Sequence, residues 1–437
     1  MSNVAQALAA ARDTKALRIG RGALQEVAGL FAEQFPGRKA IVVADANTFR
    51  VAGAQVVERL NAAGVAQDEA FVFTDPDLYA EYSHVDRLLA RLTATTAIPV
   101  AVGSGTINDL TKLSAHLSGR PYLCVATAAS MDGYTAFGAS ITARGAKQTF
   151  HCPAPQACLA DIDIIRQAPP AMTASGYADL FAKITAGADW LLADSLGEEP
   201  IDRQAWNIVQ DGLHDALSNP DGVKNGDPAA LTQLVEGLLL GGFAMQWLQS
   251  SRPASGAEHQ FSHLWNMEHH LHNGKQTSHG FQVSIGTLAV TALYEQAMQT
   301  PMAQLDIAAC CRAWPSQEEQ DQQVRDMFAG TDFQQTALQE TRAKYIDRAE
   351  LAKQLQRLTD QWPTLRRALL QQLTPLSEAR RRLALAGAPV SPEQIGLSPQ
   401  RLRDTFVRAQ CIRRRFTILD LALRTAMLHT WINRIIV

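Results

Sequence analysis

The chain has 437 residues, with 40 lysines and arginines against 43 acidic side chains, a formal net charge of −3, 46% hydrophobic and 19% charged residues. That balance excludes a chain too polar to fold, and it leaves no basic field for steering onto nucleic acid or an anionic membrane. The length is enough for two or three domains, since a single core stops growing near about 250–300 residues.

The N-terminal run MSNVAQALAAARDTKALRIG reaches Arg12, Asp13 and Lys15 before any signal-like core develops, and no run approaches the roughly 18 apolar residues of a membrane span. Six cysteines (Cys124, Cys152, Cys158, Cys310, Cys311 and Cys411) form no CxxC pair. A reduced, cytoplasmic setting without a membrane span is the expectation.

From residue 16 short apolar runs alternate with amphipathic ones. Lys39–Asp45 reads as a buried strand, and the segment from Thr48 to Ala63 as a helix ending at Gly64. Glu69–Phe73 is a second strand and Val85–Leu92 a second helix. Ile98–Gly105 is a third strand that runs directly into the helix TINDLTKLSAHLSG, and Tyr122–Ser130 is a fourth. Residues 131–160 suggest an irregular hairpin. This alternation predicts a parallel sheet covered on both faces.

The pair Pro169-Pro170 is a natural break. Beyond it, 174–192, 231–248, 279–298, 342–358, 376–385 and 401–436 carry helical apolar faces. The predicted fold is an α/β Rossmann-like N-terminal domain with a parallel sheet (1–168, dinucleotide-binding) and an all-α C-terminal domain (169–437, metal- and substrate-binding).

Two stretches carry chemistry. At the end of the third strand stands Gly103-Ser104-Gly105-Thr106-Ile107, where a sharp turn and the N–H groups of a helix start suit a phosphate. A tight βα turn is the bland alternative. Asp45 closes an earlier strand, where it accepts from an adenosine ribose or caps the next helix. In SGAEHQFSHLWNMEHHLHNGKQTSHGFQVSIG, His259 and His263 lie four apart on one helical face, and His279 opens the next apolar run. With Asp179 in the first turns of a helix, and Lys183 one turn on, His259 and His279 make a three-ligand set that leaves a coordination position open, the pattern of a catalytic metal site. Taken alone, two histidines four apart are more often packed or exposed residues. His269, His270 and His272 read as a solvated loop.

The runs GSGTINDLTK, ATAASMDGYTAFGAS, CLADIDIIRQAPPAMTASGYADLFAKITAGADW, SGAEHQFSH and SHGFQVSIG, in this order, resemble the sn-glycerol-1-phosphate dehydrogenases. These share a fold with the iron-containing alcohol dehydrogenases, glycerol dehydrogenase and dehydroquinate synthase. The terminal IRRRFTILDLA is similar to the bacterial branch. The resemblance implies that Gly103, Ser104, Gly105, Thr106 and Ile107 cradle the pyrophosphate of NAD or NADP. Asp45 would sit by the ribose, with Thr127, Ala128, Ala129, Ser130 and Ala136 along the nicotinamide side. It further implies that Asp179, His259 and His279 hold one divalent metal (zinc, nickel or iron). Asp132 would bind substrate, His263 would relay a proton, Lys183 would join the catalytic set, and Arg252 would hold the substrate phosphate. The substrate class is a small phosphorylated polyol or ketose, and the long helical half suggests a homodimer.

The chain departs from the family pattern at three places. Ser104 replaces a glycine, Ala136 a serine, and Phe281 a glutamate after His279-Gly280. The implied reaction is reduction of dihydroxyacetone phosphate to sn-glycerol 1-phosphate. The alternatives are a cyclase similar to dehydroquinate synthase, a related polyol dehydrogenase, and a nucleotide-binding protein without turnover.

Overall fold

The computed structural model describes residues 3–143 and 146–435. Six strands form one parallel sheet: β1 (Ala16–Gly20), β2 (Ala40–Asp45), β3 (Phe71–Phe73), β4 (Ile98–Gly103), β5 (Leu123–Ala126) and β8 (Ala157–Asp161), in the order β1-β8-β5-β4-β2-β3. The valine-rich strands β2, β4 and β5 are buried along nearly their whole length, as a sheet covered on both faces requires. The chain moves outward from β2 to β3, then reverses through β4 to β5 and β8. That reversal leaves a crevice at the carboxyl ends of β2 and β4, the usual ligand position in such sheets.

The hairpin expected within 131–160 is β6 (Ala139–Ala143) paired with β7 (Ala146–Phe150). The same stretch also ends in β8, which pairs with both β1 and β5. Neither β1 nor β8 stands out in sequence. β1 is only partly buried, and β8 follows irregular backbone without a break in composition.

After residue 169 the described chain is helical save for one hairpin. Among the helices are α1 (Gly105–Leu117), α2 (Pro170–Phe181), α3 (Lys183–Leu196), α4 (Pro228–Leu248), α5 (Ala257–Met267) and α6 (His279–Gln299). The single helix expected over 174–192 is thus two, interrupted at Ala182, which itself keeps helical angles (φ −60°, ψ −20°). Asp179 therefore stands in the last turn of a helix, not the first. The exception to helix is the two-residue pair β9 (Leu271–His272) and β10 (Lys275–Gln276). Asn273 and Gly274 both have positive φ (53° and 75°), the dihedral demand of an Asn-Gly hairpin turn.

By contacts the chain divides into two units. One holds residues up to Leu180 with Gln204–Ser251 and Leu385–Gly387. The other holds Phe181–Arg203, Arg252–Ala384 and the chain from Ala388 onward. The break expected at 168/169 falls inside the first. There Val42, Val100, Val102, Leu123, Val125 and Leu159 of the sheet pack against Val27, Phe31, Val56 and Leu60. α4 joins this unit through its side chains: Gln246 Oε1 accepts from the N–H groups of Asp13 and Thr14 at 2.8 and 3.2 Å, and Thr135 Oγ1 donates to Leu239 O at 2.8 Å. The second unit is centred on Phe261, Trp265, Val290, Leu293, Trp362, Phe406, Leu419 and Trp431.

α4 also amends one expectation. Its 21 residues are long and apolar enough to cross a membrane by length and composition, but 72% of its most apolar window is buried inside the protein. It serves as a core helix of the first unit.

Candidate active site

The glycine turn sits where β4 meets α1. Gly103 closes the strand, and a Cβ there would come within 2.5 Å of Ile107 Cβ, so only glycine lets the first turn of α1 fold back against the strand end. Ser104 is the N-cap in extended backbone (φ −96°, ψ −160°) and makes no side-chain cap bond. The departure from glycine costs nothing there, because no left-handed angle is needed. It also leaves the N–H groups of the first turn, including Thr106 and Ile107, without a side-chain cap, the donor set an anionic pyrophosphate takes up. The register that pairs Val43 with Ala101 carries Asp45 alongside Gly103. Asp45 Oδ1 caps the following short helix, accepting from Asn47 N and Thr48 N at 2.8 and 2.9 Å. The cap reading holds, and it fixes the carboxylate at the edge of the crevice.

The loop after β5 is held from several sides. Thr127 N donates to Gly103 O at 3.1 Å, and Tyr134 Oη to Ala128 O at 2.7 Å. Ser175 Oγ of α2 donates to Ser130 O at 3.2 Å. A Cβ at Gly176 would lie 2.0 Å from Ala129 O, so α2 lies directly against this backbone. From α1 the buried Lys112 donates to Gly133 O, Ala136 O and Gly138 O at 3.0, 2.8 and 3.0 Å. Ala136 thus contributes its carbonyl to this grip. Finally, Asp132 N donates to Asp179 Oδ2 at 3.0 Å.

Asp179, His259 and His279 each offer a ligand atom, and these atoms lie within 4.8 Å of one another. The approach of α5 to α6 is set at Gly286, where a Cβ would meet Glu258 O at 2.6 Å. The His259 and His279 rings lie 5.2 Å apart between centroids. His259 Nδ1 is 2.7 Å from Glu258 Oε1, and His279 Nδ1 is 3.3 Å from Ser262 Oγ. With Nδ1 engaged in each ring, Nε2 is the nitrogen left for coordination. A carboxylate and two imidazoles are a donor set that zinc, nickel and iron all accept, so the residues fit a divalent metal.

Behind His259 lies a buried charged layer within the second unit. Asp189 Oδ1 accepts from Tyr294 Oη and Ile418 N at 2.6 and 2.8 Å, and its Oδ2 from Ala257 N at 2.7 Å. Burial and the neighbouring Glu258 charge push the Asp189 carboxyl up to about 7, against its hydrogen bonds and Arg252. Burial also presses Glu258 upward, but its hydrogen bond with His259, that ring's charge and backbone N–H donors outweigh it and hold the carboxyl below the usual range. Arg252 is wholly enclosed. It donates to Phe416 O and Asp189 O at 3.1 and 2.9 Å, and its Nε lies 3.1 Å from Glu199 Oε2. Its guanidinium thus takes part in this layer.

The α/β half, residues 18–169, matches the model of the iron-containing alcohol dehydrogenases. A glycerol-1-phosphate dehydrogenase [NAD(P)+] from Bacillus licheniformis is 31% identical over 64% of this chain and 70% of that one. The chain belongs to the glycerol-1-phosphate dehydrogenase family. The match runs nearly end to end with the dehydrogenase of the same name from Geobacillus stearothermophilus, at 29% identity over 92% of this chain and 90% of that one. Among solved structures, glycerol dehydrogenase from Schizosaccharomyces pombe has the same fold, with a TM-score of 0.61 and 17% identity over 96% of this chain and 90% of that one.

Within this family chain, His263 lies outside the three-atom cluster, its ring 6.4 Å from that of His259 on the same helix. Lys183 is wholly buried in the first turn of α3. Phe281 is partly buried against the helical core, which accounts for an aromatic ring there. His270 departs from the solvated-loop expectation: it is 5% exposed, 2.7 Å from Ile395 O through Nε2 and 3.1 Å from Arg401 Nη1 through Nδ1. Sequence reading passed over Lys112, Glu258 and Ser262. Lys112 sits inside the recognised run GSGTINDLTK, but its partners are backbone carbonyls 21 to 26 residues away. Glu258 precedes the candidate ligand His259 and Ser262 precedes His263, and adjacency to a histidine of the motif is the one signal that the sequence offers.

Proposed function

We propose that the chain catalyses the reversible, metal-dependent reduction of dihydroxyacetone phosphate to sn-glycerol 1-phosphate with NADH or NADPH. The observation that carries this reading is the Asp179–His259–His279 cluster, whose carboxylate is bonded to the same loop that leaves the nucleotide turn at β4 and β5. The name shared by the relatives supports the choice of substrate.

When bound, the metal supplies Lewis-acid polarisation of a carbonyl and the nicotinamide supplies hydride. The chain's own part is placement and proton supply. The Ser104 turn and the uncapped start of α1 hold the pyrophosphate, and Asp45 takes the ribose hydroxyls. The backbone of Thr127, Ala128, Ala129 and Ser130 lines the nicotinamide side. Asp132 binds a substrate hydroxyl, and Lys183 joins the catalytic set. His263, one helical turn beyond His259, gives a proton to the carbonyl oxygen during reduction and recovers it in reverse, a task suited to imidazole near neutral pH. A carboxylate at Asp45 repels a 2′-phosphate, which favours NAD over NADP.

The test is to reconstitute the protein with zinc, nickel or iron, add dihydroxyacetone phosphate and NADH, and follow absorbance. The product is then offered to an sn-glycerol-3-phosphate-specific dehydrogenase. Loss of NADH with a product that enzyme rejects is the expected result. Turnover of free glycerol alone, or phosphate release from a heptulosonate phosphate without net NADH loss, would replace this reading with a polyol dehydrogenase or a cyclase.

A further inference from the structure

We infer that Glu258 is a positioning residue for the metal, fixing His259 with its proton on Nδ1, and that Ser262 does the same for His279 without a charge, so the two ligand imidazoles are unequal donors. This rests on the metal reading above and goes beyond it in assigning the groups that prepare each ring.

Glu258 is wholly buried and meets three donors. Its Oε1 lies 2.7 Å from His259 Nδ1 and 2.6 Å from Gly256 N, and its Oε2 lies 2.8 Å from Thr185 Oγ1. With Gly256 N and Thr185 Oγ1 both donating to it, the Glu258 carboxyl group meets His259 as an acceptor, so the His259 proton stands on Nδ1 and the lone pair on Nε2. Ser262 settles its own ring by a different route. Its single hydroxyl proton goes to Gln282 Oε1 at 2.7 Å, and Gln282 is held in that orientation because its Nε2 donates to Asn266 Oδ1 at 3.1 Å. The Ser262 oxygen can then only accept from His279 Nδ1, and again Nε2 is presented. A carboxylate partner raises the basicity of a ligand imidazole, whereas a hydroxyl orients it with little charge. His259 is therefore the stronger donor of the two.

A merely structural part for Glu258 is the competing explanation, since it also caps the start of α5 through Gly256 N. Metal affinity separates the two, because a cap moves stability alone.

The experiment titrates Co2+ and Zn2+ into the full-length protein against a chromogenic chelator, for wild type, Glu258→Gln and Ser262→Ala, with thermal unfolding of each metal-free form alongside. Gln keeps the shape of Glu258 and removes its charge. The expected loss of affinity is roughly ten- to a hundredfold for Glu258→Gln and less than about tenfold for Ser262→Ala, with a shifted Co2+ absorption band in Glu258→Gln. Wild-type affinity in Glu258→Gln within about twofold, or an equal or larger loss in Ser262→Ala, overturns the inference while leaving the metal site in place. A wild type that binds neither ion sinks the metal reading and this inference together. Should Glu258→Gln not fold, Thr185→Val decides: it frees Oε2 without touching His259, an affinity loss of about threefold or more is expected, and an unchanged affinity overturns the proposal.

Discussion

The backbone N–H of Asp132 donates to Oδ2 of Asp179 at 3.0 Å. The carboxylate of the candidate metal cluster therefore also anchors the loop that follows β5. Asp179→Ala should abolish metal binding and, through the released loop, weaken NADH binding as well. Asp132→Ala keeps the backbone N–H, so it should retain full metal content and raise only the KM for dihydroxyacetone phosphate. Metal analysis of dialysed protein and a fluorescence titration with NADH check both. An Asp179→Ala protein with wild-type NADH affinity would show that the bond carries no such coupling.

Gly176 faces Ala129 O so closely that a Cβ would lie 2.0 Å from it. Backbone cannot yield as the tip of a side chain can, so Gly176→Ala should push the 127–130 segment toward the crevice. We expect about 1–3 kcal/mol of lost stability, the usual range for overpacking, together with weaker NADH binding. Urea unfolding and the same fluorescence titration measure the two effects, and a neutral substitution would mean that α2 is free to retreat.

Lys112 stabilises the same loop by charge. Its ammonium has no exposed surface and serves three carbonyls, with Asp109 3.8 Å away. Replacing it by methionine removes those donors and leaves buried acceptors without partners, a loss on the order of 3 kcal/mol. Amide exchange in 133–138 should quicken in Lys112→Met, while the strands β4 and β5 stay protected. Uniform exchange across the unit would point to global destabilisation instead.

His263 stands outside the three-atom cluster yet one turn from His259. His263→Ala should keep its metal and lower kcat by roughly a hundredfold or more, the usual scale for a lost general acid–base group, and imidazole added to the assay should restore part of the rate. Loss of metal from this variant would make His263 a fourth ligand.

How far the sequence disclosed this arrangement depends on the reach of each interaction. His259 and His279 were readable because helical spacing and a helix start are local facts. The strands β2, β4 and β5 were readable because their residues are apolar without interruption. The surroundings of Arg252 were not readable, because they are made by Asp189, Glu199 and Phe416, and Phe416 is 164 positions away. The same distance in sequence hides the membership of α4 in the sheet's unit, since Gln246 is fixed by Asp13 and Thr14. Asp179 was found, yet its place in the last turn of α2 was not, because no proline or glycine marks the interruption at Ala182.

Asp189 supplies a pH dependence whose sign can be worked out. Its carboxyl is raised from 3.8 to about 7, first by burial and then by Glu258. The folded state thus holds the proton more tightly than the unfolded chain. The contribution to stability is fully present below about pH 4 and is lost as pH rises through about 7. One proton corresponds to about 1.4 kcal/mol per pH unit across that window. Asp189→Asn cannot titrate, and its amide must turn one N–H toward donors that Asp189 accepts from, so the variant should be less stable at every pH. The difference between wild type and variant should widen in favour of wild type as pH falls from 8 to 5, in urea unfolding with a chelator present so that metal binding adds nothing. Parallel curves would mean that Asp189 is already ionised at neutral pH, with Arg252 and its three hydrogen-bond donors outweighing burial.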